Sequence, residues 1–152
     1  MCTIITSDQF PTDDKFKEHL ITVNMYKRSN LLNMFFELIE NKGKEKLDWD
    51  NLTIEHILPQ TPEKAWKDDL GQDFQYIYEK YLNTLGNLSI TGYNSEYRNK
   101  RYAIKQKALL EKKADNTLKV FTLNQEILDT KNKKWDEKLI LKRAERLSNL
   151  II

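Results

Sequence analysis

The sequence that is most informative about the fold is Thr53-Ile54-Glu55-His56-Ile57-Leu58-Pro59-Gln60. It overlaps the end of a segment, residues 47–58, in which apolar side chains are interleaved with polar ones. This pattern predicts a short strand or extended stretch that ends at Pro59. Residues 85–92 form a second apolar run between glycines, and they predict a second short strand. Glu55 and His56 stand at the end of the first strand, which places two polar groups at the rim of a small sheet.

Helical patterns lie on both sides of this hairpin-like pair and between its strands. Residues 66–81 are helical in pattern and are broken in two at Gly71. The other predicted helices are one from an N-cap at Thr12 towards Ile21, one from Ser29 to residues 41–43, one capped by Asn94 or Ser95 and carrying Tyr97, Tyr102, Ile104 and Leu109, and a tail over 108–113, 122–128 and 136–152. The sequence predicts one mostly helical α+β domain over 1–152, with its core at about 47–113.

Composition limits the class of protein but does not choose a function. The chain has 152 residues, the size of one domain, and a formal net charge of +2 that does not by itself indicate a nucleic-acid binder. Cys2 is the single cysteine, which excludes an internal disulfide and a cysteine-based zinc site and fits a cytoplasmic protein. No run of about 18 apolar residues is present, so no membrane span is expected.

The chemistry that these polar residues suit is the hydrolysis of a phosphodiester. Such a reaction needs a base that takes a proton from water at neutral pH, and a neutral imidazole such as that of His56 serves. It also needs a divalent cation held by hard oxygen ligands. Glu55 and the asparagine-rich stretch from Asn83 to Asn99 supply such oxygens.

The order of these motifs resembles that of a known family. Residues 53–60, then Tyr81-Leu82-Asn83-Thr84-Leu85-Gly86-Asn87-Leu88-Ser89-Ile90-Thr91-Gly92-Tyr93-Asn94-Ser95-Glu96, then Asn99-Lys100, resemble the C-terminal HNH-like (His-Me finger, ββα-metal) domain of GmrSD-type restriction endonucleases. These are modification-dependent bacterial defence nucleases. The resemblance extends to Phe10-Pro11-Thr12, Tyr26-Lys27-Arg28-Ser29, Trp135-Asp136 and Arg143-Ala144.

The resemblance implies a role for each matching residue. His56 matches the general base, and Glu55 stands where the superfamily has a metal ligand. Asn87 matches the central asparagine, which would fix the loop between the strands and orient His56. Asn94 falls where a helix supplies the second ligand, and the short spacing leaves Asn99 as the alternative. Oxygen ligands at these positions favour Mg²⁺ or Mn²⁺ over zinc.

Basic residues follow the motif closely and are the candidate DNA contacts. They are Arg98, Lys100, Arg101 and Lys105. On a helix, Arg98, Arg101 and Lys105 would share one face that could contact phosphates. The alternative is an ordinary solvated face, with the charges balanced by Glu96 and Glu111.

The resemblance also implies partners. The substrate would be double-stranded DNA, with or without modified bases, and the domain would work with an N-terminal ParB-like nucleotide-hydrolysing domain or subunit. A homodimer would allow both strands to be cut. Two other classes stay open: a catalytically inactive DNA-binding module, and a helical module that binds a protein through the amphipathic tail, residues 136–152.

Overall fold

The computed structural model describes residues 12–41, 47–92, 98–115 and 122–152. The predicted fold class is confirmed, because these residues form seven helices and one small antiparallel sheet. The helices are α1 (Asp13–Thr22), α2 (Ser29–Asn41), α3 (Lys64–Leu70), α4 (Phe74–Tyr81), α5 (Tyr102–Ala114), α6 (Gln125–Leu128) and α7 (Glu137–Ile151). Short 3-10 turns cover Tyr26–Arg28, Gly71–Asp73, Leu85–Asn87 and Thr122–Asn124. Every helix in the described ranges is too short or too polar to cross a lipid bilayer.

Two four-residue strands form the sheet, β1 (Thr53–His56) and β2 (Leu88–Thr91). They pair antiparallel, with Glu55 opposite Ser89 and His56 opposite Leu88. Both strands are shorter than the sequence predicts. The indole of Trp49, which the longer strand would have included, instead donates to Oε1 of Glu37 in α2 at 2.8 Å. A tertiary contact therefore holds the segment before β1 out of the sheet.

The predicted helix boundaries are mostly confirmed, because local chemistry fixes them. The hydroxyl of Thr12 accepts from the amide of Lys15 at the start of α1, and Asp136 caps α7 by accepting from the amide of Leu139 at 3.0 Å. Gly71 has a φ of 58°, a value that glycine adopts readily, and it ends α3 just before α4 begins.

The start of α5 differs from the prediction. The helix begins at Tyr102 rather than at Asn94 or Ser95, which lie outside the described residues. Residues 98–100 form a turn, and contacts with the start of α3 hold it. The indole of Trp66 donates to the carbonyl of Lys100 at 2.8 Å, and Glu63 accepts from the amide of Arg101 at 3.0 Å. Arg98 and Arg101 therefore do not share a helix face with Lys105.

Helix α7 joins two apolar clusters of the described residues. Leu139 and Ile140 belong to the cluster formed with α3, α4 and α5, whereas Leu147 belongs to the cluster formed with α1, α2 and β2. The helix also lies directly against the turn before β2. A Cβ atom on Gly86 would stand 2.5 Å from the carbonyl oxygen of Ile140, so only glycine allows this approach.

Candidate active site

A polar cleft of about 320 Å³ lies where β1 ends, and Glu55 and His56 both line it. Its walls come from three parts of the chain, which are the 3-10 turn at Tyr26, the hairpin with the loop that follows β1, and the turn before α5. The other lining side chains are Thr53, Ile54, Pro59, Gln60, Thr61, Thr91, Arg98 and Asn99. The structure thus brings the predicted base, the predicted acidic ligand and one of the two candidate asparagines into one cleft.

The imidazole of His56 is buried and held in one orientation. Its Nε2 lies 2.8 Å from Oδ1 of Asn83. An amide oxygen only accepts hydrogen bonds, so Nε2 donates, and Nδ1 of the neutral ring carries the lone pair. Burial lowers the pKa of His56; the charge of Lys105 adds to this, while the bond to Asn83 and the charge of Glu55 oppose it. His56 is therefore neutral at pH 7, the state that a general base requires.

Two residues that contact His56 were not singled out from the sequence. Asn83 was only part of an asparagine-rich stretch, and Tyr26 only part of an upstream motif. The ring of Tyr26 meets that of His56 edge-on, with 4.5 Å between the ring centroids. The carbonyl of Asn83 accepts from the amides of Met25 and Tyr26, at 2.9 and 3.3 Å. Asn83 thus holds the His56 ring through its side chain and the backbone of the Tyr26 turn through its carbonyl, a tertiary arrangement that spacing along the chain does not reveal.

Lys105 lies inside the protein, behind the end of β1, with its side chain 3% exposed. Its ammonium donates to the carbonyls of His56 and Ile57, at 3.1 and 2.9 Å, and lies 3.4 Å from Oε1 of Glu55. Burial lowers the pKa of Lys105, and the carboxylate of Glu55 opposes that shift. The prediction that Lys105 lies at the surface and contacts DNA is therefore wrong. Its ammonium is buried, where it contacts the end of β1 and the carboxylate of Glu55.

Asn87 is fully buried and joins three parts of the chain. Its Oδ1 accepts from the amide of Leu58 at 2.8 Å and from the indole of Trp135 at 3.0 Å. Its Nδ2 donates to the carbonyls of Leu58 and Leu82, both at 2.9 Å. These bonds tie the loop that follows β1 to the turn before β2 and to Trp135. The direct partner of the His56 ring, however, is Asn83 and not Asn87.

The oxygen donors of the cleft have the chemistry that a hard divalent cation prefers. The carboxylate of Glu55 and the amide of Asn99 both line it. The backbone carbonyl of Asn99 accepts from the amide of Glu63 at 3.4 Å, which ties its turn to the start of α3. Asn94, the other candidate, lies outside the described residues. In the described ranges no three His, Cys, Asp or Glu side chains group together as a metal site.

The other predicted DNA contacts fall into two kinds. Arg98 is exposed and lines the cleft. Lys100 lies 3.8 Å from Glu63, and Arg101 forms an ion pair with Asp69. That pairing raises the pKa of Arg101. Acidic side chains of the protein therefore partly neutralise the charges of Lys100 and Arg101.

A neutral histidine, oriented through one nitrogen and placed beside a carboxylate in an open polar cleft, has the chemistry that general-base hydrolysis requires. A comparison with protein families shows which family the chain belongs to. The model of the family described as GmrSD restriction endonucleases, C-terminal domain, matches residues 10–150. The chain therefore belongs to this family, a restriction-endonuclease-related one, which implies nuclease activity and DNA as the substrate. A search of curated proteins finds no match.

Proposed function

We propose that this domain hydrolyses phosphodiester bonds of double-stranded DNA with the help of a divalent metal ion, as an HNH-type (ββα-metal) endonuclease. The observation that carries the proposal is the state of His56, a buried neutral imidazole whose Nε2 donates to Asn83 in a cleft shared with Glu55. A hairpin end that presents both residues, with α5 packed behind it through Lys105, supports the same reading.

In the proposed reaction, Nδ1 of His56 takes a proton from a water molecule as the water oxygen attacks the phosphorus. The bond from phosphorus to the 3′-oxygen breaks, and the products are a 5′-phosphate and a 3′-hydroxyl that gains its proton from solvent. Asn83 keeps the imidazole in the tautomer that leaves Nδ1 able to accept. Tyr26 covers part of the ring and contributes to its burial, which favours the neutral form.

Glu55 would hold the metal ion together with Asn94 or Asn99, and Arg98 would contact a phosphate at the cleft wall. Mg²⁺ or Mn²⁺ suits this oxygen set better than zinc. When bound, such an ion would offset the negative charge that develops on the phosphate and on the leaving oxygen. The Lys105 ammonium that faces Glu55 would keep the carboxylate directed to one place.

The biological setting that we propose follows from the family. The domain would act in the cytoplasm in restriction of modified phage DNA, joined to an N-terminal ParB-like nucleotide-hydrolysing domain or subunit. Each described chain carries one His56 cleft, so cutting both strands would need two chains, as in a homodimer, or two successive events.

The test is the nicking and linearisation of supercoiled plasmid, with modified and unmodified bases, in Mg²⁺ or Mn²⁺. We expect His56→Ala to abolish cutting and to leave the melting temperature nearly unchanged. His19→Ala is the matched control, because His19 is exposed on α1, and it should cut like the wild type. Full activity of His56→Ala would refute the mechanism. DNA binding without cutting by the wild type, in either metal, would favour an inactive DNA-binding module instead.

A further inference from the structure

We infer that the turn Tyr26–Arg28 is a second DNA-binding element, which contacts the strand beside the scissile phosphate from the part of the cleft wall that carries Tyr26. Tyr26 would pack against a nucleotide, and Lys27 and Arg28 would contact neighbouring phosphates. This inference rests on the proposed function, and it assigns DNA binding to a segment upstream of the hairpin, outside the basic residues that the sequence analysis takes as candidate DNA contacts.

The turn is held rigidly next to the site. The amides of Met25 and Tyr26 donate to the carbonyl of Asn83, the residue whose side chain orients His56. The side chain of Asn24 caps the turn by accepting from the amide of Lys27 at 3.1 Å. A ligand held by this turn would therefore stand at a fixed position relative to the imidazole.

The charges of the turn are available to an anion. Lys100, Arg101 and Lys105 each face an acidic side chain, Glu63, Asp69 and Glu55 respectively. By contrast, no acidic residue in the described ranges forms an ion pair with Lys27, Arg28 or Arg98, and all three are exposed. Cations without an acidic partner give more to phosphate binding, because no existing pair has to be broken.

The spacing along the turn suits successive nucleotides. Lys27 and Arg28 follow Tyr26 directly, so their Cα atoms lie within about 8 Å of its Cα along the chain. Their long side chains extend that reach, whereas phosphates repeat about every 3.4 Å of helix axis on one strand. Tyr26 lines the cleft, whereas Lys27 and Arg28 line the adjoining surface, so a strand whose scissile phosphate lies at His56 would reach these two cations by continuing past Tyr26.

The ring of Tyr26 supplies the apolar part of the contact. Its side chain is 40% exposed although one edge meets His56, and it lines the cleft. An aromatic ring that is held in place and partly open to solvent packs on a sugar or on an unstacked base at little entropic cost. Burial of this ring by DNA would also exclude water from one side of the imidazole.

The test measures binding on a His56→Ala background, so that cleavage does not disturb it. The probe is a fluorescein-labelled 20-base-pair DNA duplex, titrated by anisotropy between about 50 and 300 mM salt. We expect Lys27→Gln/Arg28→Gln to weaken binding about tenfold at the lowest salt, and to reduce the slope of log K against log salt by about 1.8, the value for two lost phosphate contacts. Tyr26→Ala should also weaken binding about tenfold, while Tyr26→Phe should keep it.

The control is Lys138→Gln/Lys142→Gln, which removes the same charge from exposed positions of α7. If Lys27→Gln/Arg28→Gln binds the duplex with the same affinity and the same salt slope as this control, the inference is overturned. The nuclease assignment would remain intact. Absence of both binding and cutting by the wild-type chain would instead overturn the proposed function, and this inference with it.

Discussion

The hydrogen bond between His56 and Asn83 is the residue-scale feature on which the proposed chemistry depends most directly. We expect Asn83→Leu to slow plasmid nicking on the order of 100-fold, because about 1 Å of misplacement of a reacting group costs that much. Asn83→Asp keeps an acceptor oxygen and should recover part of the rate. Single-turnover nicking, with melting temperatures as a check on folding, measures both. Leu and Asp variants as fast as the wild type would contradict the role given to Asn83.

Lys105 leads to a prediction about stability. Lys105→Met replaces the ammonium with an apolar group of similar length and leaves the carbonyls of His56 and Ile57 without their buried donor. We expect the free energy of unfolding at pH 7 to fall by about 3 kcal/mol, measured by urea denaturation. Lys107→Met is the control, because Lys107 is exposed on the same helix. Equal stability of the two variants would contradict the structural role of Lys105.

Lys105 and His56 also mark the limit of sequence reasoning at this scale. His56 precedes an apolar pair and a proline at the end of a predicted strand, which makes it a candidate base, and the resemblance to the family implies the role of general base. A lysine, however, is almost always exposed, and the neighbouring residues Ile104 and Gln106 do not indicate that Lys105 is buried. The position of Lys105 follows only from how α5 packs against β1. The sequence therefore predicts a DNA contact at the surface, whereas the structure places the ammonium inside the protein.

Among the elements, the turn Leu85–Asn87 between α4 and β2 depends on the absence of a side chain at its centre. Gly86→Ala would press a methyl group against the backbone of Ile140, and we expect it to lower the free energy of unfolding by about 2–3 kcal/mol. Gly71→Ala meets open space and suffers only from its positive φ, a loss of about 1 kcal/mol. Chemical denaturation of both variants measures these losses in the free energy of unfolding. A larger loss for Gly71→Ala than for Gly86→Ala would contradict the prediction.

The elements that were predicted well are those with local signals. Thr12 and Asp136 accept from nearby backbone amides where helices were predicted to begin, and Gly71 ends α3 through its positive φ. The start of α5 was predicted too early, because the turn before it is held by Glu63 and Trp66, which lie more than thirty residues upstream. Boundaries that tertiary bonds set cannot be read from local patterns.

At the scale of the whole molecule, Arg143 connects α7 to the rest of the fold. Its guanidinium donates to the carbonyls of Leu85 and Gly86 at 3.1 and 2.8 Å and to that of Leu123 at 3.1 Å. The side chain is fully buried, and burial lowers its pKa to about 10, so it keeps its charge at pH 7. One residue of α7 thus holds the turn before β2 and the turn before α6.

We expect Arg143→Met to lower the free energy of unfolding by about 3 kcal/mol, since several buried carbonyls lose their donor. DNA nicking should fall with it, because the turn that carries Asn87 also loses its support. Lys142→Met, at the exposed neighbouring position, should change neither quantity. Urea denaturation and nicking at a temperature where both variants are folded provide the comparison. Wild-type stability of Arg143→Met would show that α7 is held by its apolar face alone.

The contacts that α7 and the preceding Trp135 make with the turn before β2 have a consequence for how the protein is made. A ribosome delivers His56 and Asn87 well before Trp135 and Arg143, so for part of synthesis the growing chain holds the reactive imidazole without the framework that fixes it. The buried indole and guanidinium arrive late and close that framework. A half-finished polypeptide would therefore lack the buried bonds from Trp135 and Arg143, and the framework of the cleft would be complete only after residue 143 had emerged.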